Sequence, residues 1–207
     1  MREIDMAAWP RKEIFDFFSS TEKPFYSLSF RMDVAKAYRF AKSRGLSFYY
    51  SLIWLVTEAM NRVEAFRYSI EEGKVVLLPR REPSFTDIRP GAEYFHICTL
   101  PAGESIEEFC RRAGEKSRSQ KFFIDHGEEK SDLIYISALP WLDMMSNTNE
   151  GELHKDDCIP RLSWGKFIPE GEKKQLCFCF EVNHRFVDGR DIGRFAEELE
   201  RLMDELE

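Results

Sequence analysis

The sequence predicts an α/β fold, a mixed β-sheet sandwich with flanking helices, and three observations carry that prediction. Period-two apolar runs and 3.6-period apolar stripes are both abundant along the chain. They do not alternate one for one, which argues against a doubly wound parallel sheet. At 207 residues, 43% hydrophobic and 32% charged, the chain is long and apolar enough for one packed core. No repeat, low-complexity tract or Pro/Ser-rich linker interrupts it, so residues 1–207 read as a single domain.

The elements follow in order. Pro10–Phe18 reads as a helix, with Pro10 favourable near its start. Phe25–Val34 alternates as a strand, with Tyr26, Leu28, Phe30 and Met32 on one face. A helix over Val34–Ser43 stops at Gly45. Ser47–Arg62 has apolar residues on most of its sides and reads as a buried helix. Phe66–Ile70 and Lys74–Leu78 flank Glu71-Glu72-Gly73, a hairpin signal. Ser84–Ile88 and Tyr94–Leu100 are further strands. Ser105 caps a helix running to Ser117, with Glu108 placed to complete a capping box. Leu133–Ala138 is a short strand, and Asp143–Asp157 is polar and irregular. Leu162–Ile168 and Gln175–Asn183 read as strands joined by a turn at Pro169–Glu172. A last helix, Arg190–Leu206, aligns Ile192, Phe195, Ala196, Leu199, Leu202, Met203 and Leu206 on one face.

Composition narrows the function. A net charge of −7 and a pI near 5.3 disfavour nucleic acid or an anionic membrane as the main partner, though a local basic patch suits a small phosphorylated cofactor. The N-terminal stretch shows no signal-peptide pattern, and Phe48–Val63 is broken by Thr57, Glu58, Asn61 and Arg62. The cytoplasm is the expected compartment. The five cysteines lack metal-ligand spacing and read as reduced packing residues, with no metal expected. Eighteen phenylalanines suit either an aromatic core or an aromatic pocket.

Chemistry concentrates in the stretch Cys177 to Gly193, where an apolar strand runs into His184 and a turn through Asp188-Gly189 leads to a helix. An imidazole at a strand end can take a proton from a hydroxyl near neutral pH. This turn resembles the HHxxxDG motif of the chloramphenicol acetyltransferases. Further segments are similar in the same order: Trp9-Pro-Arg-Lys-Glu-Ile-Phe15, Phe66-Arg-Tyr-Ser-Ile-Glu-Glu-Gly73 followed by Pro83-Ser-Phe-Thr86, Ile136-Ser-Ala-Leu-Pro-Trp141, and Trp164-Gly-Lys-Phe167. The resemblance spans nearly the whole chain.

That resemblance implies a fold of the CoA-dependent acyltransferase type and direct transfer from acetyl-CoA to an acceptor hydroxyl. His184 matches the general base, and Ser137 the donor to the oxyanion of the tetrahedral intermediate. Asp188 and Arg11 match a structural ion pair that orients the histidine loop. Trp141, Lys166 and Phe167 match the coenzyme A channel, and Phe17, Phe18 and Phe95 match aromatic positions of the acceptor pocket. The resemblance further implies a homotrimer whose active sites lie between subunits. Two departures stand out. Asn183 replaces the first histidine of the pair, with Arg185 and Phe186 after His184. In the acceptor pocket, Asn147, Asn149, Asp157 and Arg161 replace mostly apolar residues, which implies a more polar small-molecule acceptor than chloramphenicol. The alternative is a degenerate member that binds coenzyme A or a partner without turnover.

Overall fold

The computed structural model describes residues 1–149 and 154–206; positions 150–153 of the polar run and residue 207 lie outside the described residues. The chain opens with β1 (Arg2–Glu3) and α1 (Lys12–Ser19), then β2 (Phe25–Asp33), α2 (Ala35–Ser43) and α3 (Phe48–Arg62). A 3₁₀ turn over Glu64–Arg67 leads into the hairpin β3 (Tyr68–Glu71) and β4 (Lys74–Leu77). Next come β5 (Glu82–Asp87), β6 (His96–Thr99), α4 (Ile106–Ser119) and β7 (Leu133–Ala138). The chain continues through β8 (Arg161–Trp164), β9 (Ile168–Glu170), β10 (Lys173–Asn183) and α5 (Gly189–Asp204).

The large sheet runs β2-β10-β8-β7-β5-β6, with β9 also on β10, and a small sheet runs β1-β4-β3. β7 lies parallel to both β5 and β8, while the other pairings are antiparallel, so the sheet is mixed as the sequence predicted. One face of the large sheet packs on α3, α4 and α5. Phe85, Ile136, Leu162, Trp164, Phe178, Phe180 and Val182 meet Leu52, Val56, Phe109, Phe195 and Leu199 there. Phe180 and Phe195 stand edge to face with centroids 4.9 Å apart. Most of the phenylalanine content is thus core, whereas Phe17, Phe95, Phe122 and Phe123 stay exposed.

The opposite face is polar. Strand residues alternate sides, and the register sets Ser29, Cys179, Ser163 and Ser137 in one row across β2, β10, β8 and β7. The segment after β7 folds back over this row: Met144 packs on Cys177 and Cys179, and Asn147 Nδ2 donates to Ser163 Oγ at 3.0 Å.

Three expectations are corrected. The strand expected over Leu162–Ile168 is two short ones, because the returning segment crosses at Gly165. A Cβ there would sit 2.5 Å from the Leu142 carbonyl oxygen, and that oxygen accepts from Lys166 N at 2.7 Å. Phe66 belongs to the 3₁₀ turn, since its carbonyl accepts from Arg81 Nε instead of joining a ladder. Tyr94 and Phe95 fall outside β6 and are exposed. The strand Arg2–Glu3 was not anticipated; two residues carry too little pattern to read.

Arg81 is 1% exposed and donates to the carbonyls of Phe66, Tyr68, Ser131, Leu133 and Cys158. Burial lowers its pKa to about 10, so it stays charged at neutral pH and fixes the start of β7 against the segment that leads to β8.

Candidate active site

β10 ends at Asn183 because the next residues close a tight turn: Phe186 N and Val187 N both donate to the Asn183 carbonyl. His184 opens this turn, held by its own N–H donating to Pro24 O at 2.7 Å. The imidazole stacks on Tyr26, with centroids 4.5 Å apart and planes 14° apart, and leans on Phe18 at 4.3 Å. His184 Nδ1 lies 2.9 Å from the Val187 carbonyl oxygen. A carbonyl can only accept, so Nδ1 carries the hydrogen and Nε2 is the basic nitrogen.

The far side of the loop is pinned by charge. Asp188 is the N-cap of α5 and accepts from Arg190 N and Asp191 N, while Asp191 accepts in return from Asp188 N, a full capping box. Arg11 spans both carboxylates, at 3.1 Å from Asp188 and 3.3 Å from Asp191, and its Nε donates to Arg185 O at 3.0 Å. Burial works to raise the Asp188 pKa, but the Arg11 guanidinium and the two backbone N–H groups outweigh it and hold the carboxyl below its ordinary value. Trp9 and Phe15 flank Phe186, at 6.2 and 5.5 Å between centroids. The N-terminal segment and the histidine turn are therefore one packed unit.

Asn183, which stands in place of a histidine, is 4% exposed and fully engaged. Its Nδ2 donates to the Lys155 and Asp157 carbonyls at 2.9 Å, and its Oδ1 accepts from Arg185 N and Nε. The buried Arg185 pairs with Asp156 at 2.9 Å. These two residues tie the histidine turn to residues 155–157. Asn183 and Arg185 stood out in the sequence only as departures from the histidine motif, and Tyr26 and Asp191 did not stand out there. The capping pattern Asp188-x-x-Asp191 before an amphipathic stretch was the one available signal, because the other contacts depend on strand register.

Ser137 lies elsewhere. It sits on the polar face of β7, with its Oγ 3.4 Å from Thr86 Oγ1. Ser137 is level with Ser163, and Ser163 with Cys179, whereas His184 is five positions beyond Cys179 and stacks on Tyr26, whose ring packs against the core. Five residues along the chain direction and two strand spacings across give about 17 Å and about 10 Å, hence about 20 Å between the Cα atoms of Ser137 and His184. One chain does not bring the two together.

The remaining residues divide the same way. Phe18 touches His184, and Phe17, 69% exposed, stands edge-on to Phe18 at 5.1 Å. Asn147 lies by Ser163, beside Ser137. Asp157 pairs with Arg161 at 2.7 Å, and the Arg161 guanidinium covers the Tyr135 ring at 5.4 Å. Phe95 is at the far edge, against Phe123 at 5.4 Å. Trp141 is 67% exposed on the segment after β7. Lys166 is exposed, and half-buried Phe167 packs edge-on against Tyr38 at 5.4 Å. The Lys174 ammonium lies 4.5 Å from the Phe167 ring and 4.4 Å from that of Tyr38.

The fold and the loop-borne imidazole define a class, the CoA-dependent acyltransferase fold. A solved chloramphenicol acetyltransferase superposes with a TM-score of 0.89 at 25% identity, covering 98% of this chain and 100% of that one. The truncated catalytic core of a 2-oxoacid dehydrogenase complex from Thermoplasma acidophilum shares the fold, with a TM-score of 0.66 at 15% identity over 95% of each chain. The chloramphenicol acetyltransferase family model matches residues 1–200. Chloramphenicol acetyltransferase 3 of Escherichia coli is 24% identical over 203 residues, 97% of this chain and 95% of that protein. The chain belongs to the chloramphenicol acetyltransferase family and is an acyltransferase.

Proposed function

We propose that this enzyme transfers an acetyl group from acetyl-CoA to a hydroxyl of a small polar acceptor, in a cleft formed between copies of the chain. His184 Nε2 takes the acceptor's proton as the oxygen attacks the thioester carbonyl. Ser137 of the facing copy donates to the developing oxyanion, a contact worth ~3 kcal/mol. The thiolate of coenzyme A then leaves as the carbonyl reforms, and it takes the proton that His184 Nε2 had removed from the acceptor. Arg11, Asp188 and Asp191 touch no substrate; they hold the loop that presents the imidazole. The observation that carries this reading is the Nδ1–H bond to Val187 O, which makes Nε2 the base on a loop pinned by three charged residues. It favours turnover over a degenerate binding role.

Coenzyme A is assigned to the side that carries Trp141, Lys166 and Phe167. Lys42 and Lys174 stand over the Tyr38 ring next to Phe167, so the acidic chain concentrates ammonium groups where a phosphate would lie. The acceptor side is polar, with Asn147 and Asn149 beside the serine row. Burying a nitrophenyl ring gains roughly 25 cal/mol per Å² against an apolar wall, and an amide wall forfeits that gain. Chloramphenicol is therefore expected to be a poor acceptor. Acetyl-CoA consumption measured with chloramphenicol and with polar hydroxylated acceptors tests this: His184→Ala is expected to lower turnover by roughly 10³-fold. Undiminished turnover in that variant, or efficient acetylation of chloramphenicol, would refute the reading.

A further inference from the structure

We propose that Glu181 and Asn149 form an amine-recognition subsite beside Ser137, so that the acceptor is a small hydroxylated amine, positively charged at neutral pH; this rests on the acetyl-transfer reading above. Glu181 is half-buried on the polar face of β10, directly opposite Arg161 of β8. The charge of Arg161 is already matched, because Asp157 pairs with it at 2.7 Å with both side chains largely buried. Among the described residues, the Glu181 carboxylate accepts one hydrogen bond, from Asn149 N at 3.3 Å, and no cation lies within ion-pair distance. Among the described residues, Asp157 and Arg161 pair with each other and Glu181 has no counter-ion.

Asn149 supplies the second observation. Its Nδ2 is buried and has no hydrogen-bond partner among the described residues. A buried amide donor left unpaired costs free energy that a ligand oxygen would recover. Its Oδ1 is held by Asn147 Nδ2 at 3.2 Å, so the amide is oriented. Asn147 in turn donates to Ser163, the register neighbour of Ser137. The Asn147–Asn149 segment thus runs diagonally from the serine row to Glu181.

The spacing sets the size of the ligand. Glu181 is two positions beyond Cys179 and two strands from Ser137, about 7 Å along and about 10 Å across, so roughly 12 Å between Cα atoms. An ammonium at Glu181 makes charge-assisted hydrogen bonds, Asn149 Nδ2 donates to a ring or hydroxyl oxygen, and another hydroxyl reaches the level of Ser137. The net charge of −7 favours the approach of such a cation.

Glucosamine and N-acetylglucosamine form a matched charged and neutral pair of probes, whose binding is read by ligand-observed NMR titration of the full chain. The wild type is expected to bind glucosamine about tenfold or more tightly than N-acetylglucosamine. Glu181→Gln is expected to remove that difference. Equal binding of the two sugars by the wild type overturns the proposal, and this comparison needs no variant to fold. A preference that survives Glu181→Gln overturns it as well. Because binding requires no turnover, acetyl transfer that persists in His184→Ala would sink the reaction assignment while leaving the charge preference standing.

Discussion

If acetyl transfer needs both His184 and Ser137, two inactive variants should rescue each other. Within one chain strand register puts these residues about 20 Å apart, far beyond the ~3 Å reach of a hydrogen bond. Each cleft must then take its histidine from one copy and its serine from the next. His184→Ala alone removes the base, and Ser137→Ala alone is expected to lower kcat by roughly 10²- to 10³-fold. In a mixed trimer of the two variants, whichever is in excess, the cyclic order gives one junction where an intact histidine meets an intact serine. One cleft in three is then wild type, so mixed trimers should recover about one third of wild-type activity. Differently tagged chains, co-expressed and purified through both tags, isolate the mixed species, and coenzyme A release detected with a thiol reagent gives the rate. Mixed trimers as inactive as their parents would refute the shared cleft and the role given to at least one residue.

Two further outcomes follow from the geometry. Gly165→Ala places a methyl against the Leu142 carbonyl, so it is expected to cost about 1–3 kcal/mol in thermal or denaturant unfolding. It should also raise the KM for acetyl-CoA more than it changes kcat, since the displaced segment carries Trp141; a neutral effect on both would show that the crossing is loose. Asp188 has a folded-state pKa below its ordinary value, so the stability it contributes is present above the unfolded carboxylate pKa of about 3.9 and is lost as pH falls through the lower folded value. Asp188→Asn, which can still cap α5, should flatten that acid limb in pH-dependent melting, whereas an unchanged limb would assign the effect to other carboxylates.

How much was legible varies with the range of the interaction that decides each feature. The helix over Ser47–Arg62 and the apolar stripe of the C-terminal helix were legible because periodicity is local, and α3 and α5 fall within a residue or two of those bounds. The strand expected through Gly165 was not, because what breaks it is a segment more than twenty residues earlier in the chain. The place of Phe95 at the sheet edge against Phe123 was not legible either, since spacing alone does not say which strand borders which.

By itself the sequence determined the acyltransferase family, because the apolar strand, the histidine at its end, the Asp-Gly turn and the helix that carry the resemblance are neighbours along the chain. It also determined that the run after the Ile136–Trp141 segment is polar, because composition survives any folding. Only the tertiary structure decided which ring nitrogen of His184 is basic, that Arg11 joins Asp191 as well as Asp188, and that Ser137 and His184 lie far apart within one chain. Those depend on strand order and register, where a shift of one residue turns a side chain to the opposite face of the sheet, and no local pattern in the chain encodes that choice.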